Sequence, residues 1–403
     1  MGGRKADALW MQRRVTAGTF AMNSTYASLG TTVFEVMSRL AAEKGAVNLG
    51  QGFPEEDGPR DILEAAARAT LEGPNQYPPS RGLPELRQAV AAHYRTHQNV
   101  GLDWQREVTI TSGATEAIAA ALLAFIEPGD EVVLFEPFYD AYLPMVRRAG
   151  GVPRIVRLDP PHWRYEREKL EPAFSDKTRV VIINTPLNPS ASVMSRAELE
   201  LVAGLCRKHG AVCVSDEVWE HVLFDGAQHV SMLEVMRDRT LKIGSAGKMF
   251  SLTGWKVGFA CGAPDLMEVF AKAHQFLTFT TPPNLQRAVT YALGKPPSYF
   301  GDMCAAFQRS RDRLNDALTG EGFVTLPARG AYFLSIDLAA SGIELSDEAF
   351  ARHAIEHGVA TIPFSAFYEG AKPPALVRLC FAKRDETLDR GAAALINARR
   401  ALF

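Results

Sequence analysis

The chain has 403 residues, of which 47% are hydrophobic and 22% charged, with a formal net charge of -2. That length exceeds one small core and suits two domains. The near-neutral balance excludes the basic excess expected of a nucleic-acid or anionic-membrane binder. The five cysteines, Cys206, Cys213, Cys261, Cys304 and Cys380, are scattered, with no Cys-x-x-Cys pair and no histidine partner at metal spacing. They read as reduced thiols of a cytoplasmic protein, with no metal site expected. No apolar run reaches the length that spans a bilayer.

Residues 1–30 read as an N-terminal arm, basic at Arg4, Lys5, Arg13 and Arg14 but with too short an apolar core for a secretory signal. Apolar residues at helical spacing predict a helix from Thr32 to Ala41, ending near Gly45. Next comes the loop Val47 to Pro54, where Gly50 and Gly52 flank an amide; they either let backbone approach a ligand or make a plain turn. A helix over Asp61 to Leu71 precedes a Pro-rich loop holding Tyr77, which on its own reads equally as a packing aromatic.

A helix from Leu83 to Gln98 leads to the strand Val108 to Ile110 and the small-residue turn Thr111-Ser112-Gly113-Ala114-Thr115. A strand, such a turn and a helix start make an anion site, because the helix's unpaired N–H groups and dipole face it. The strand Glu131 to Phe135 then runs into Glu136-Pro137-Phe138-Tyr139-Asp140, where an aromatic suits stacking on a flat ring or packing in the core. The continuous apolar run Arg179 to Asn184 predicts a strand buried on both faces, closed by Thr185-Pro186-Leu187-Asn188-Pro189. After a helix over Arg196 to His209, the strand Ala211 to Ser215 delivers Asp216 at its C-terminal end; a buried acid there needs a cation or hydrogen bonds.

The stretch Leu241 to Gly258 sets Lys248 and Lys256 among small residues in an apolar segment. A buried ammonium is costly unless paired or lowered in pKa, and a lowered lysine suits imine chemistry. A nucleotide P-loop fails on spacing, since Gly244 lies three positions before Gly247 and Met249 stands where Ser or Thr is needed. Beyond it, Ala273 to Pro283 includes Phe279 and Thr280, and the chain changes character near Gly294-Lys295-Pro296-Pro297. A helix over Tyr299 to Leu318 precedes strands over Gly330 to Ile336 and Leu376 to Phe381, the latter carrying Arg378, whose planar fork suits a carboxylate.

Three motifs in this order, Asn184-x-Pro-x-Asn188-Pro189, Asp216 at a strand end, and Ser245-x-x-Lys248 with Thr253-Gly254-Trp255-Lys256-x-Gly258, resemble the pyridoxal-phosphate aminotransferases of fold type I. The resemblance spans about Thr31 to Lys383 and is closest to the branch with kynurenine, methionine or glutamine aminotransferases. It implies an α/β fold: a large domain (56–294) with a mostly parallel seven-stranded sheet flanked by helices, and a smaller α/β domain from 295–403 joined by 31–55.

The resemblance also implies roles. Lys248 carries the pyridoxal 5′-phosphate, Asp216 faces the ring nitrogen, Tyr139, with Phe138 as the alternative, covers the ring, and Asn188 donates to its ring oxygen. Gly113, Ala114, Thr115, Ser245 and Lys256 surround the phosphate, joined by Tyr77 from a neighbouring subunit. Gly50, Asn188 and Arg378 receive the substrate, with Phe279 and Thr280 lining the pocket across a homodimer. Family members usually carry Tyr where this chain has Trp219, and indole N–H donates but neither accepts nor ionises. The expected reaction is transfer of an amino group from an L-amino acid to a 2-oxo acid by ping-pong kinetics. A β-lyase acting on S-substituted cysteines would use the same residues; a non-catalytic regulator of this fold fits poorly, for want of a helix-turn-helix pattern.

Overall fold

The computed structural model describes residues 16–17, 20–370 and 373–403; much of the basic arm lies outside the described residues. Seven strands form the main sheet: β1 (Val108–Thr111), β2 (Glu131–Glu136), β3 (Val152–Arg157), β4 (Thr178–Asn184), β5 (Val212–Asp216), β6 (Thr240–Ser245) and β7 (Gly258–Gly262). Their order is β1-β7-β6-β5-β4-β2-β3. All neighbours run parallel except β7, which is antiparallel to both β1 and β6.

The central strands are apolar on both faces because helices cover both. Val180, Val181, Ile182 and Ile183 of β4 are all buried. Helices α1 (Val33–Lys44), α2 (Pro84–Gln98), α3 (Ala114–Phe125) and α4 (Arg196–His209) start and stop on local signals. Thr32 caps α1 and Gly45 ends it in the left-handed region; Ser195 and Glu198 form a capping box on α4, ended by left-handed Gly210.

The C-terminal part builds a second, antiparallel sheet of β8 (Val324–Thr325), β9 (Phe333–Asp337), β10 (Ile362–Pro363) and β11 (Leu376–Cys380), in the order β8-β9-β11-β10. Helices over Ser298–Thr319 and Asp385–Arg400 pack against each other beside it. Val47–Asn48 pairs in parallel with Val359–Ala360 as a separate two-stranded sheet, and the Cys380 N–H donates to the Leu49 carbonyl at 2.7 Å, which ties the loop holding Gly50 to the C-terminal sheet. The C-terminal ends of β4, β5 and β6 therefore face Arg378 of β11 across a cleft. Among the described residues no helix is long and apolar enough to cross a membrane.

Candidate active site

The cleft holds a cavity of about 490 Å³. Of the residues singled out by sequence, Gly113, Ala114, Thr115, Tyr139, Asn188, Asp216, Trp219, Ser245, Lys248, Lys256 and Arg378 all line it. Phe138, the other aromatic considered for stacking, is buried in the core, so Tyr139 is the one presented.

Asp216 ends β5 and is 5% exposed. Its Oδ2 accepts from the Tyr142 hydroxyl at 2.6 Å and its Oδ1 from the Val218 N–H at 3.4 Å. Burial pushes the carboxyl up from an ordinary 3.8 to about 6, although the Tyr142 and Val218 bonds and the Lys248 charge pull the other way. Among the described residues it has no cationic hydrogen-bond partner.

Lys248 sits in the short helix Ala246–Met249 that follows β6. Burial lowers its amine from 10.5 to about 8, opposed by the neighbouring Cys380 and Asp216. Its Nζ lies 3.3 Å from the Tyr332 hydroxyl and 4.5 Å from the centre of the Trp219 ring. Trp219 in turn meets Tyr332 edge-on, with ring centres 4.3 Å apart.

Asn188 is placed by its neighbour Asn184, whose Oδ1 accepts from the Asn188 N–H at 2.8 Å while its Nδ2 donates to the Asp216 carbonyl at 2.9 Å. Arg378 is 1% exposed and stacks over Phe333 at 4.1 Å. It donates to Asn188 Oδ1 at 2.7 Å and to the Gly50 carbonyl at 2.9 Å, and its Nε is buried without a partner. Burial lowers the guanidinium from 12.5 to about 10. A buried cation with spare donors and, among the described residues, no hydrogen-bonded carboxylate suits an incoming one.

A profile of the family "Aminotransferase class I and II" matches residues 44–395. The chain belongs to aminotransferase class I and II. A probable N-succinyldiaminopimelate aminotransferase of Mycobacterium tuberculosis is 44% identical over 372 residues, 89% of this chain and 94% of that protein. A methionine aminotransferase of Escherichia coli is 39% identical over 89% of this chain and 94% of its own. The human kynurenine–oxoglutarate transaminase 1 is 36% identical over 87% and 92%. A solved structure of the Mycobacterium tuberculosis enzyme superposes with a TM-score of 0.90 at 43% identity, covering 94% of this chain and all of that one.

This aminotransferase is therefore an amino-group transferase that uses pyridoxal 5′-phosphate, and its residues fit that cofactor. Asp216 is a buried carboxylate in want of a cation, as a protonated ring nitrogen would be. Gly113 precedes α3 with φ +80°, and a Cβ there would lie 3.1 Å from Lys256 Cε and 3.3 Å from Lys256 Nζ. A Cβ at Gly258 would come within 2.8 Å of the Gly113 carbonyl carbon, so two glycines keep open a cradle of N–H donors and one ammonium, suited to a phosphate.

Four predicted residues do not line the cavity. Gly50 reaches it only through the bond from Arg378. Tyr77 is 83% exposed and meets Phe279 edge-on at 5.3 Å, and the Thr280 hydroxyl donates to the Pro79 carbonyl at 3.4 Å. Sequence reading passed over Tyr142, Tyr332 and Asp140, all near the reactive groups. Tyr142 carried a weak signal, two positions after Asp140 in the loop already suspected of binding.

Proposed function

We propose that this aminotransferase takes the amino group of an L-amino acid with an uncharged, apolar or aromatic side chain and passes it to a 2-oxo acid by ping-pong kinetics. The observation that carries the reading is the meeting of Lys248, Asp216, Asn188 and Arg378 in one cavity whose remaining wall includes Phe34, Phe53 and Phe333. Arg378 is the lone guanidinium among the lining residues, and Asp140 adds a carboxylate. That charge pattern receives one substrate carboxylate and disfavours a second. Methionine and kynurenine, in the names of two relatives, meet the requirement.

When bound, pyridoxal phosphate supplies an aldehyde that captures amines and a ring that accepts electron density from the carbon losing its proton. Lys248 would hold the group covalently, and its Nζ, once released, would take the proton from the substrate's Cα and return it as the acid. Arg378 would grip the substrate carboxylate bidentately and so fix the Cα–H toward Lys248. Asp216 would keep the ring nitrogen charged, with Tyr142 holding the carboxylate in place. Asn188 would donate to the ring oxygen, Tyr139 would cover the ring, and Gly113, Ala114, Thr115, Ser245 and Lys256 would take the phosphate.

Tyr77, Phe279 and Thr280 would complete the site from a second copy, since exposed aromatics at this position suit an interface. Free cysteines, four of them buried, support a reducing, cytoplasmic setting. The test is to add L-methionine, L-phenylalanine, L-kynurenine and L-glutamate separately to the purified enzyme without an acceptor and to follow the cofactor's absorbance and 2-oxo acid release. Fast conversion by the first three and slow conversion by glutamate is expected; preference for glutamate would overturn the substrate assignment. Borohydride reduction and peptide mass analysis should place the cofactor on Lys248.

A further inference from the structure

A second concentration of titratable side chains lies where helix α2 meets the segment after Asp216. Lys242 of β6 is fully buried, and its Nζ reaches Glu217 at 2.6 Å, Glu220 at 2.5 Å and Gln98 at 2.7 Å. Beside it, His93 Nε2 and His221 Nε2 face each other at 2.8 Å. His97, one turn along α2, brings its ring centre to 4.5 Å from that of His93 and 5.2 Å from that of His221. His221 also stacks on Phe300, with centres 3.8 Å apart.

His93, His221 and Glu220 each present a ligand atom, all within 4.8 Å of one another. We propose that these three, with His97 after rotation of its ring, bind one divalent transition-metal ion of the zinc class. Imidazole nitrogens and a carboxylate oxygen are the donors such an ion prefers, and four of them satisfy its tetrahedral shell.

Three further observations favour it. The two Nε2 atoms point at one another and share a single N–H, which an ion entering between them would replace. Glu217 is shared by Lys242 and His229, whereas Glu220 accepts from Lys242, Gln98 and the Tyr94 hydroxyl, which hold its carboxylate in a fixed orientation beside the histidines. A cavity of about 380 Å³, lined by His97, Glu220, His221, His229 and Cys304, opens the cluster to solvent.

The neighbouring group Glu217, Glu220 and His229 also has ligand spacing, but Lys242 already stands between its two carboxylates. The ion therefore belongs on the histidine side of Glu220. Tetrahedral bonds of about 2.0–2.1 Å place two nitrogens roughly 3.3 Å apart, so the rings of His93 and His221 need to part by about 0.5 Å and to tilt until both lone pairs converge on the ion. The filled site would clip α2 to the segment bearing Trp219. Sequence spacing hides it, because His93 and His221 lie 128 positions apart.

The test uses the holoenzyme stripped with a chelator, loaded with Zn²⁺ or Co²⁺ and dialysed. About one ion per chain should be retained, Co²⁺ should show the visible bands of four-coordinate geometry, and the melting temperature should rise. His93→Gln and His97→Gln should weaken binding more than about 10-fold, since even partners one shell out cost that much. His353→Gln serves as control: its ring lies 4.3 Å from that of His357, also one turn away, but outside the cluster, and it should change nothing. If His93→Gln fails to fold, the part-exposed His97→Gln and the wild-type Co²⁺ spectrum decide. No retained ion, a six-coordinate spectrum, or retention equal in wild type and His97→Gln would overturn the site.

Discussion

Arg378 Nη1 donates to Asn188 Oδ1 at 2.7 Å across 190 positions of sequence. The bond fixes the orientation of the Asn188 amide: with its oxygen spent on the guanidinium, its Nδ2 is the group left to face the cavity. On the roles proposed for them, substrate grip and cofactor grip are thus mechanically joined. Asn188→Asp keeps a partner for Arg378 but turns the donor into an acceptor. Its kcat/KM should fall about 10²- to 10³-fold, the usual loss for one preorganised donor. Steady-state kinetics with the best donor, compared with Arg378→Lys, checks this; Arg378→Lys should lose mainly in KM, because an ammonium cannot replace a bidentate fork.

Asp216 should cost the cofactor-free protein stability. Its folded pKa, about 6, lies above the ordinary 3.8, so the carboxyl contributes stability only when protonated. That contribution is whole below about 3.8 and is lost as pH rises through about 6. Asp216→Asn should therefore be more stable than wild type at pH 8, by on the order of 3 kcal/mol, and no more stable near pH 4. Denaturant unfolding of both cofactor-free proteins at the two pH values measures it. Loading with pyridoxal phosphate should remove the advantage, since the wild-type carboxylate then gains its cation.

The lowered amine of Lys248 sets a pH dependence. Only the neutral amine attacks an aldehyde, so the rate of cofactor capture by the stripped protein should rise with pH and level off above about 8. The Trp219 ring, 4.5 Å from Nζ, favours the charged form by about 0.5–2 kcal/mol. Trp219→Leu should then lower the midpoint by about 0.4–1.5 pH units. Trp219→Tyr, which restores the family's usual phenol, should move it as well. One shared midpoint for all three proteins would remove Trp219 from control of the amine.

The parts of this molecule that could be read from sequence are those written locally. The runs in β2 and β4, the helix from Arg196 to His209 and the motifs around Asn188, Asp216 and Lys248 each carry their signal within a few residues. What stayed hidden was made by distant chain segments meeting. Tyr142 reaches Asp216 from 74 positions away, and Tyr332 reaches Lys248 from 84. Lys242 is not singled out by sequence, because its partners Glu217, Glu220 and Gln98 come from another strand's end and from a helix. Tyr77, Phe279 and Thr280 were read through the resemblance alone, and a single chain leaves them outside the cavity.

The phosphate cradle gives the sharpest geometric prediction. Gly113 holds φ +80°, a conformation costly for any other residue, and a Cβ there would press on the Lys256 side chain at 3.1 Å. The strain falls at the first turn of α3, whose N–H groups and dipole would receive the phosphate. Gly113→Ala should leave the sheet intact, because β1 ends at Thr111 and the substitution lies beyond it. Its effect should fall on the cofactor: the Kd for pyridoxal phosphate should rise at least about 10-fold, a loss of roughly 1.4 kcal/mol. Pyridoxal without its phosphate should bind wild type and Gly113→Ala alike. Titration with both compounds separates the cases, and equal weakening of the two would mean that the glycine serves the fold rather than the phosphate.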